Sequence, residues 1–146
     1  MKLLRGVYLA GPMAQMSGEE MKSWREYATE VLEGADVPVL DPTRRTSFHV
    51  QLLDDRGMEQ NLAKRIFKQD LRDIARCEVL LCDLRDHPKA KAQGTAAEVM
   101  FSHMKHKTII AWKNPEDMLN PFMTAMVTEV HNSLDEALEA AIDYSL

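Results

Sequence analysis

An open, doubly wound α/β domain, with a five-stranded parallel sheet between layers of helices, is the fold class this sequence predicts. Short apolar, β-favouring runs alternate along it with segments whose apolar residues recur at helical spacing. Its 146 residues are the length of one ordinary domain, so 1–146 is read as a single domain without internal repeat or linker. Apolar residues make up 45% and charged residues 28%, the balance of a chain that buries a core without disulfides or metals.

The elements follow in order. Gly6 to Ala10 reads Gly-Val-Tyr-Leu-Ala and stops at Gly11-Pro12, a buried strand ending in a tight loop. Ser17 with Glu20 three residues on is a capping box, and Met21, Trp24, Tyr27, Ala28, Val31 and Leu32 form the apolar face of a helix ending near Gly34. Val37 to Leu40 is a second strand, with Pro38 tolerable only at an edge. The polar stretch from Thr43 to Gly57, long enough for a functional loop, is a candidate lid. Met58 to Arg76 carries Leu62, Ile66, Phe67, Leu71, Ile74 and Ala75 on one helical face and leads into a third strand, Val79 to Leu84. A polar loop then precedes a helix from Gly94 to about Lys105 and a fourth strand from Thr108 to Trp112. Asn120 to Ala125 reads as a turn of helix and Met126 to Val130 as a last short strand. Ser133 with Glu136 caps a final helix running through Tyr144.

Several function classes recede on composition. The formal net charge is -5 and the basic residues are scattered singly or in pairs, so no continuous positive stripe marks a nucleic-acid polymer as partner. Cys77 and Cys82 stand in or beside an apolar run, outside any metal-ligand spacing, and read as reduced core thiols. The ten methionines read as adaptable packing on helices. His103 and His106 have no further ligands at metal spacing, so no metal and no cofactor is expected; His87 is the one histidine placed near a ligand. The apolar stretch after Met1 is too brief for a signal peptide or a span, which predicts a cytoplasmic protein away from the membrane.

Ligands of doubly wound sheets sit beyond the carboxyl ends of the strands, which groups Tyr8 to Met13, Asp41 to Arg45, Asp83 to Glu98 and Trp112 to Met123. Glu98 is expected in the first turn of its helix, where free amides and the dipole favour an ionised carboxylate. Gly94, in Gly94-Thr95-x-x-Glu98, allows a substrate close to the backbone.

Four motifs in order carry a resemblance: Tyr8-Leu9-Ala10-Gly11-Pro12, Asp70-Leu71-x-x-Ile74 before Cys77-Glu78, Gly94-Thr95-x-x-Glu98, and Asn120-Pro121-Phe122-Met123. Over most of the chain the sequence resembles the nucleoside 2-deoxyribosyltransferase family. The resemblance implies a flavodoxin-like domain that cleaves the N-glycosidic bond of a 2′-deoxynucleoside and passes the sugar to a free nucleobase. It implies that Glu98 attacks C1′, that Tyr8 orients Glu98, and that Asp70 contacts and helps protonate the leaving base. With a depressed pKa for Glu98 and a raised one for buried Asp70, nucleophile and acid would be told apart. Gly11, Pro12, Met13, Asp41, Arg44, Gly94, Thr95, Asn120 and Met123 are the expected substrate contacts. The segment of Asn120 and Met123 resembles one that reaches a neighbouring subunit's site, implying a homo-oligomer with shared sites.

Ala92 stands where the family often has an aspartate on the sugar hydroxyl. Relatives that hydrolyse deoxynucleoside monophosphates hold a 5′-phosphate near that point with serines, which this stretch lacks; Ser47, Arg44 and Arg45 are the alternative phosphate ligands. Hydrolysis of a deoxynucleoside or its 5′-monophosphate is therefore the second reading. A non-catalytic nucleotide-binding module is a third. Flavin binding is disfavoured, because the loop after the first strand lacks a Ser/Thr-rich phosphate cradle.

Overall fold

The computed structural model describes residues 5–13, 18–45, 60–87 and 93–146. In chain order it has β1 (Val7–Ala10), α1 (Gly18–Gly34), β2 (Val39–Leu40), a 3-10 turn (Pro42–Arg45), α2 (Gln60–Arg76) and β3 (Val79–Asp83). There follow α3 (Gln93–Met104), β4 (Thr108–Trp112), α4 (Pro121–Met126), β5 (Glu129–His131) and α5 (Leu134–Ser145). The strands form one parallel sheet in the order β2-β1-β3-β4-β5, the flavodoxin-like arrangement expected from the alternation of elements. Pro38 precedes the edge strand β2, where its missing N–H costs no ladder bond, and its carbonyl accepts from Val7.

Strand alternation builds both cores. Val7 pairs with Val79 and Tyr8 with Leu80, so neighbouring residues of β1 and β3 leave the sheet on opposite faces. On one face Val7, Leu9, Val79 and Leu81 pack with Trp24, Ala28 and Leu32 of α1 and Ala137, Leu138 and Ala141 of α5. On the other Tyr8, Ala10, Leu80 and Cys82 pack with Ile74 of α2 and Val99 of α3. Each fully buried leucine or isoleucine contributes roughly 1.5–3 kcal/mol, which fixes the register: a slip of one residue would exchange the two faces. That register sends Tyr8 toward α2 and α3, the helices that carry Asp70 and Glu98.

The helix ends confirm some expectations and correct others. Ser133 accepts from the Glu136 amide at 3.2 Å, as its capping motif predicts. The Asn120 side chain accepts from the Phe122 amide at 2.8 Å and starts α4 with Pro121 in its first turn. Met126 belongs to α4, so β5 begins three residues later than expected. The Ser17 cap and most of the candidate lid, Ser47 included, lie outside the described residues.

Helical spacing overstates burial at several positions. Tyr27 is exposed and donates to Asp135 at 2.6 Å, satisfying its hydroxyl at the surface. Phe67, Met100, Met104 and Met118 are exposed too, so these methionines are not core packing. Cys77 and Cys82 are free and buried. Among the described residues no helix is long and apolar enough to cross a membrane.

Candidate active site

The strand order reverses between β1 and β3, and a crevice opens beyond their carboxyl ends at that point. Gly11 turns the chain out of β1 where a Cβ would stand 3.1 Å from both Asp83 and Trp24, so a larger residue would have to push these neighbours aside. The start of α3 divides the crevice. On one side a cavity of about 220 Å³ is lined by Gly11, Pro12, Met13, Ile66, Phe67, Asp70, Leu71, Gly94, Thr95, Ala97 and Glu98. On the other a groove of about 540 Å³, sharing Pro12, runs past Asp83 to His87, Gln93, Ala96, Asp117 to Asn120, Phe122 and Met123. A Cβ on Gly94 would meet nothing within 4 Å, which leaves the backbone there open to a ligand.

Of the three residues expected to act on a substrate, Asp70 and Glu98 line the smaller cavity. The Tyr8 hydroxyl, on a fully buried side chain, donates to Glu98 Oε2 at 2.6 Å. Asp70, buried on α2, acts electrostatically on both. Burial holds the Tyr8 hydroxyl well above its usual pKa, and the Glu98 and Asp70 charges raise it further, so it stays a neutral donor.

Glu98 departs from expectation. Since α3 begins at Gln93, Glu98 lies beyond the first turn and faces the sheet. Its pKa is raised from 4.5 to about 8: burial dominates and the Asp70 charge adds to it, while the Tyr8 hydrogen bond and the Arg25 charge pull it down. Desolvation therefore outweighs the helix N-terminus, whose influence falls off within one turn. Glu98 still keeps partial exposure, so the group that holds this proton remains reachable.

Arg25 is the cation that sequence reasoning missed. It is fully buried, donates from Nη2 to the Gly11 carbonyl at 3.0 Å and lies 3.8 Å from Asp41. A signal existed: Arg25 falls in the stripe of Met21, Ala28 and Leu32, where a charge is out of pattern.

A second polar cluster ends β3. Asp83 accepts from Arg85 Nε and Nη2, each at 3.0 Å, from the Arg85 amide at 3.0 Å, and lies 3.1 Å from His87 Nε2. The Arg85 guanidinium stacks 4.1 Å from the centre of the Trp112 ring.

The expected substrate contacts divide. Gly11, Pro12, Met13, Gly94 and Thr95 line the smaller cavity, and Asn120 and Met123 line the groove. The Thr95 hydroxyl is buried with no hydrogen-bond partner among the described residues, a state that costs roughly 1–3 kcal/mol until something pairs with it. Asp41 and Arg44 line neither space. Asp41 turns inward to Thr43 N and Oγ1 at 2.9 and 2.7 Å, and Arg44 lies at the surface 3.4 Å from Glu33. The carboxyl end of β2 is displaced from the crevice because β2 is the sheet edge beyond β1. Ala92 lies outside the described residues.

Residues 7–138 match the family described as Nucleoside 2-deoxyribosyltransferase. No curated protein matches the chain in sequence. Among solved structures, a 2-deoxyribosyltransferase of Bacillus psychrosaccharolyticus is similar with a TM-score of 0.70 at 20% identity, over 91% of this chain and 90% of that one. One from Leishmania mexicana gives 0.69 at 19%, over 97% and 99%. The CMP N-glycosidase of Clostridium botulinum gives 0.57 at 16%, over 96% and 98%. At these identities the structural likeness is one of fold.

Proposed function

Because the chain belongs to the nucleoside 2-deoxyribosyltransferase family, matched over residues 7–138, we propose that it cleaves the N-glycosidic bond of a 2′-deoxynucleoside and transfers the deoxyribose to another nucleobase. The observation that carries this reading is the 2.6 Å bond from the Tyr8 hydroxyl to Glu98 in a cavity that Asp70 also lines.

The chemistry needs one carboxylate to attack and one acid to release the base. Glu98 attacks C1′ as the carboxylate, the C1′–N bond breaks, and the base departs with a proton supplied from Asp70, leaving deoxyribose esterified to Glu98. A second base, giving its N–H proton to Asp70 as its nitrogen bonds to C1′, then displaces the Glu98 carboxylate and restores the original configuration. Two neighbouring buried carboxyls favour keeping one proton between them. In the free protein Glu98 holds that proton, because burial and the Asp70 charge raise its pKa; the productive state needs it on Asp70 and the charge on Glu98, which Tyr8 and Arg25 favour. The unpartnered Thr95 hydroxyl and the open backbone at Gly94 suit the sugar, and Gly11 to Met13 wall the cavity.

Hydrolysis is the second reading. It shares the covalent step and differs in letting water reach C1′, and the adjoining groove, with Asp86, His87 and Asp117 on its wall, supports it. Under either reading the assembly is a homo-oligomer, a view supported by Met118 and Phe122, 95% and 78% exposed beside the groove.

The test is chromatographic. The protein is incubated with deoxyinosine or thymidine, with and without free adenine or cytosine, and again with the 5′-monophosphates. New deoxynucleoside that appears only with acceptor establishes transfer; free base regardless of acceptor establishes hydrolysis. Absence of turnover from every substrate would overturn both in favour of a binding module.

A further inference from the structure

At the opposite end of the sheet, where β1, β3 and β4 begin, lies a cavity of about 410 Å³ whose lining includes Arg5, Arg76, Glu78, Lys105, His106 and Lys107. Four lysine and arginine side chains thus meet there in a chain whose net charge is -5. The ordinary explanation is that cations settle helix carboxyl ends, and α2 and α3 both end at this edge. It accounts for part of the cluster. Lys107 Nζ donates to the Ala75 carbonyl at 2.9 Å, capping α2, and Arg76 lies 3.6 Å from Asp73. Two helix ends amount to about one negative charge, and Glu78 and Asp73 supply two more against the four cations. A surplus of about one positive charge remains. Arg5 and Lys105 carry that surplus: among the described residues neither has an acidic partner, and the Lys105 ammonium lies 5.7 Å from the centre of the Phe101 ring.

We propose that this cavity, walled by Arg5, Arg76, Lys105, His106 and Lys107, is a second binding site, for a phosphorylated small molecule of up to mononucleotide size. The arginine forks and lysine ammoniums match a phosphate dianion. The volume exceeds that of a bare phosphate and falls in the range that encloses a small organic ligand. Glu78 then serves as an acceptor for sugar hydroxyls. The site takes no part in the chemistry at Glu98, which lies beyond the far ends of the same strands.

Calorimetry on the whole chain at low ionic strength tests it, with inorganic phosphate, ribose 5-phosphate and dAMP as probes. Ribose 5-phosphate is expected to bind saturably and to shift the amide resonances of residues 105–108. Arg5→Ser with Lys105→Ser should weaken it about tenfold or more, the effect of losing a charge-assisted hydrogen bond. Arg5→Lys with Lys105→Arg should retain it, and turnover of deoxynucleosides should be unchanged in both pairs. If the double serine variant loses its fold, Lys105→Ser alone, at an exposed position, provides the same comparison. Tighter binding of dAMP that is lost in the serine variant assigns a nucleotide; equal binding of both probes, lost likewise, assigns a pentose phosphate. No saturable binding of ribose 5-phosphate, or equal affinity in native and serine variants, overturns the proposal.

Discussion

Asp83 and Glu98 are carboxylates at the same end of the same sheet, and their surroundings are opposite. Asp83, with no exposed side-chain surface, takes a two-pronged bond from Arg85, the Arg85 amide and a contact from His87. Among the described residues Glu98 receives one bond, from the Tyr8 hydroxyl, and stands near the like charge of Asp70. On the proposed function, the comparison teaches what separates a structural carboxylate from a reactive one. Asp83 has its charge matched on several sides and so holds the β3 loop in place, whereas Glu98 has fewer compensating groups, which on that proposal leaves its carboxylate available to an electrophile once ionised.

The largest break in the comparison is at Glu98 itself. Glu98→Ala should lower glycosyl transfer on the order of 10³-fold or more, the size typical of losing a covalent nucleophile, with the melting temperature close to native. If initial-rate assays found activity within a few-fold of native, the covalent role would be wrong. Asp83→Asn should do the reverse. Weakening the two-pronged bond to the half-buried Arg85 should destabilise by about 1–3 kcal/mol, read as a drop in denaturation midpoint, while the folded fraction keeps its turnover.

Smaller effects sharpen the same contrast. Tyr8→Phe should reduce kcat by about ten- to a hundredfold, the value of a hydrogen bond to a charged group. It removes an influence that lowers the Glu98 pKa, so the pH at which the carboxyl pair loses its shared proton, and with it the basic limb of the pH–rate profile, should move upward. In the native protein that limb should lie near pH 8 for the free enzyme, with activity falling as the pair loses the proton that Asp70 must supply; a profile flat through pH 8 would erase the distinction from Asp83. The smallest effect is on stability. The folded protein holds the Glu98 proton up to about pH 8, whereas the unfolded chain releases it near 4.5, so Glu98 makes folding less favourable as pH rises through that window. Glu98→Gln should therefore melt a few degrees above native at pH 9 and near native at pH 4, by calorimetry at both values.

Much of this was legible in the chain. The apolar runs of β1, β3 and β4, the Ser133 cap and the Asn120-Pro121 helix start rest on neighbours a few residues apart, and they appear where expected. The crevice rule brought Tyr8 and Glu98 under suspicion, Asp70 came only through the family resemblance, and the strand register joins Tyr8 to Glu98. Asp41 and Arg44 line neither the cavity nor the groove; the rule names strand ends without saying which strand is the edge. Arg25 went unnoticed because a charge inside an apolar stripe becomes informative only once its burial is known.

Local patterns, then, determined the element order, the parallel α/β architecture and the residue types available for glycosyl chemistry. Tertiary structure decided what those residues became. It raised the Glu98 pKa where the helix start alone would lower it, surrounded Asp83 with donors, and gathered basic residues scattered in sequence into one cavity at the far edge. The reason is physical: strand and helix patterns arise from contacts within a few residues, whereas desolvation and Coulomb interactions depend on distances set by the whole packed sheet.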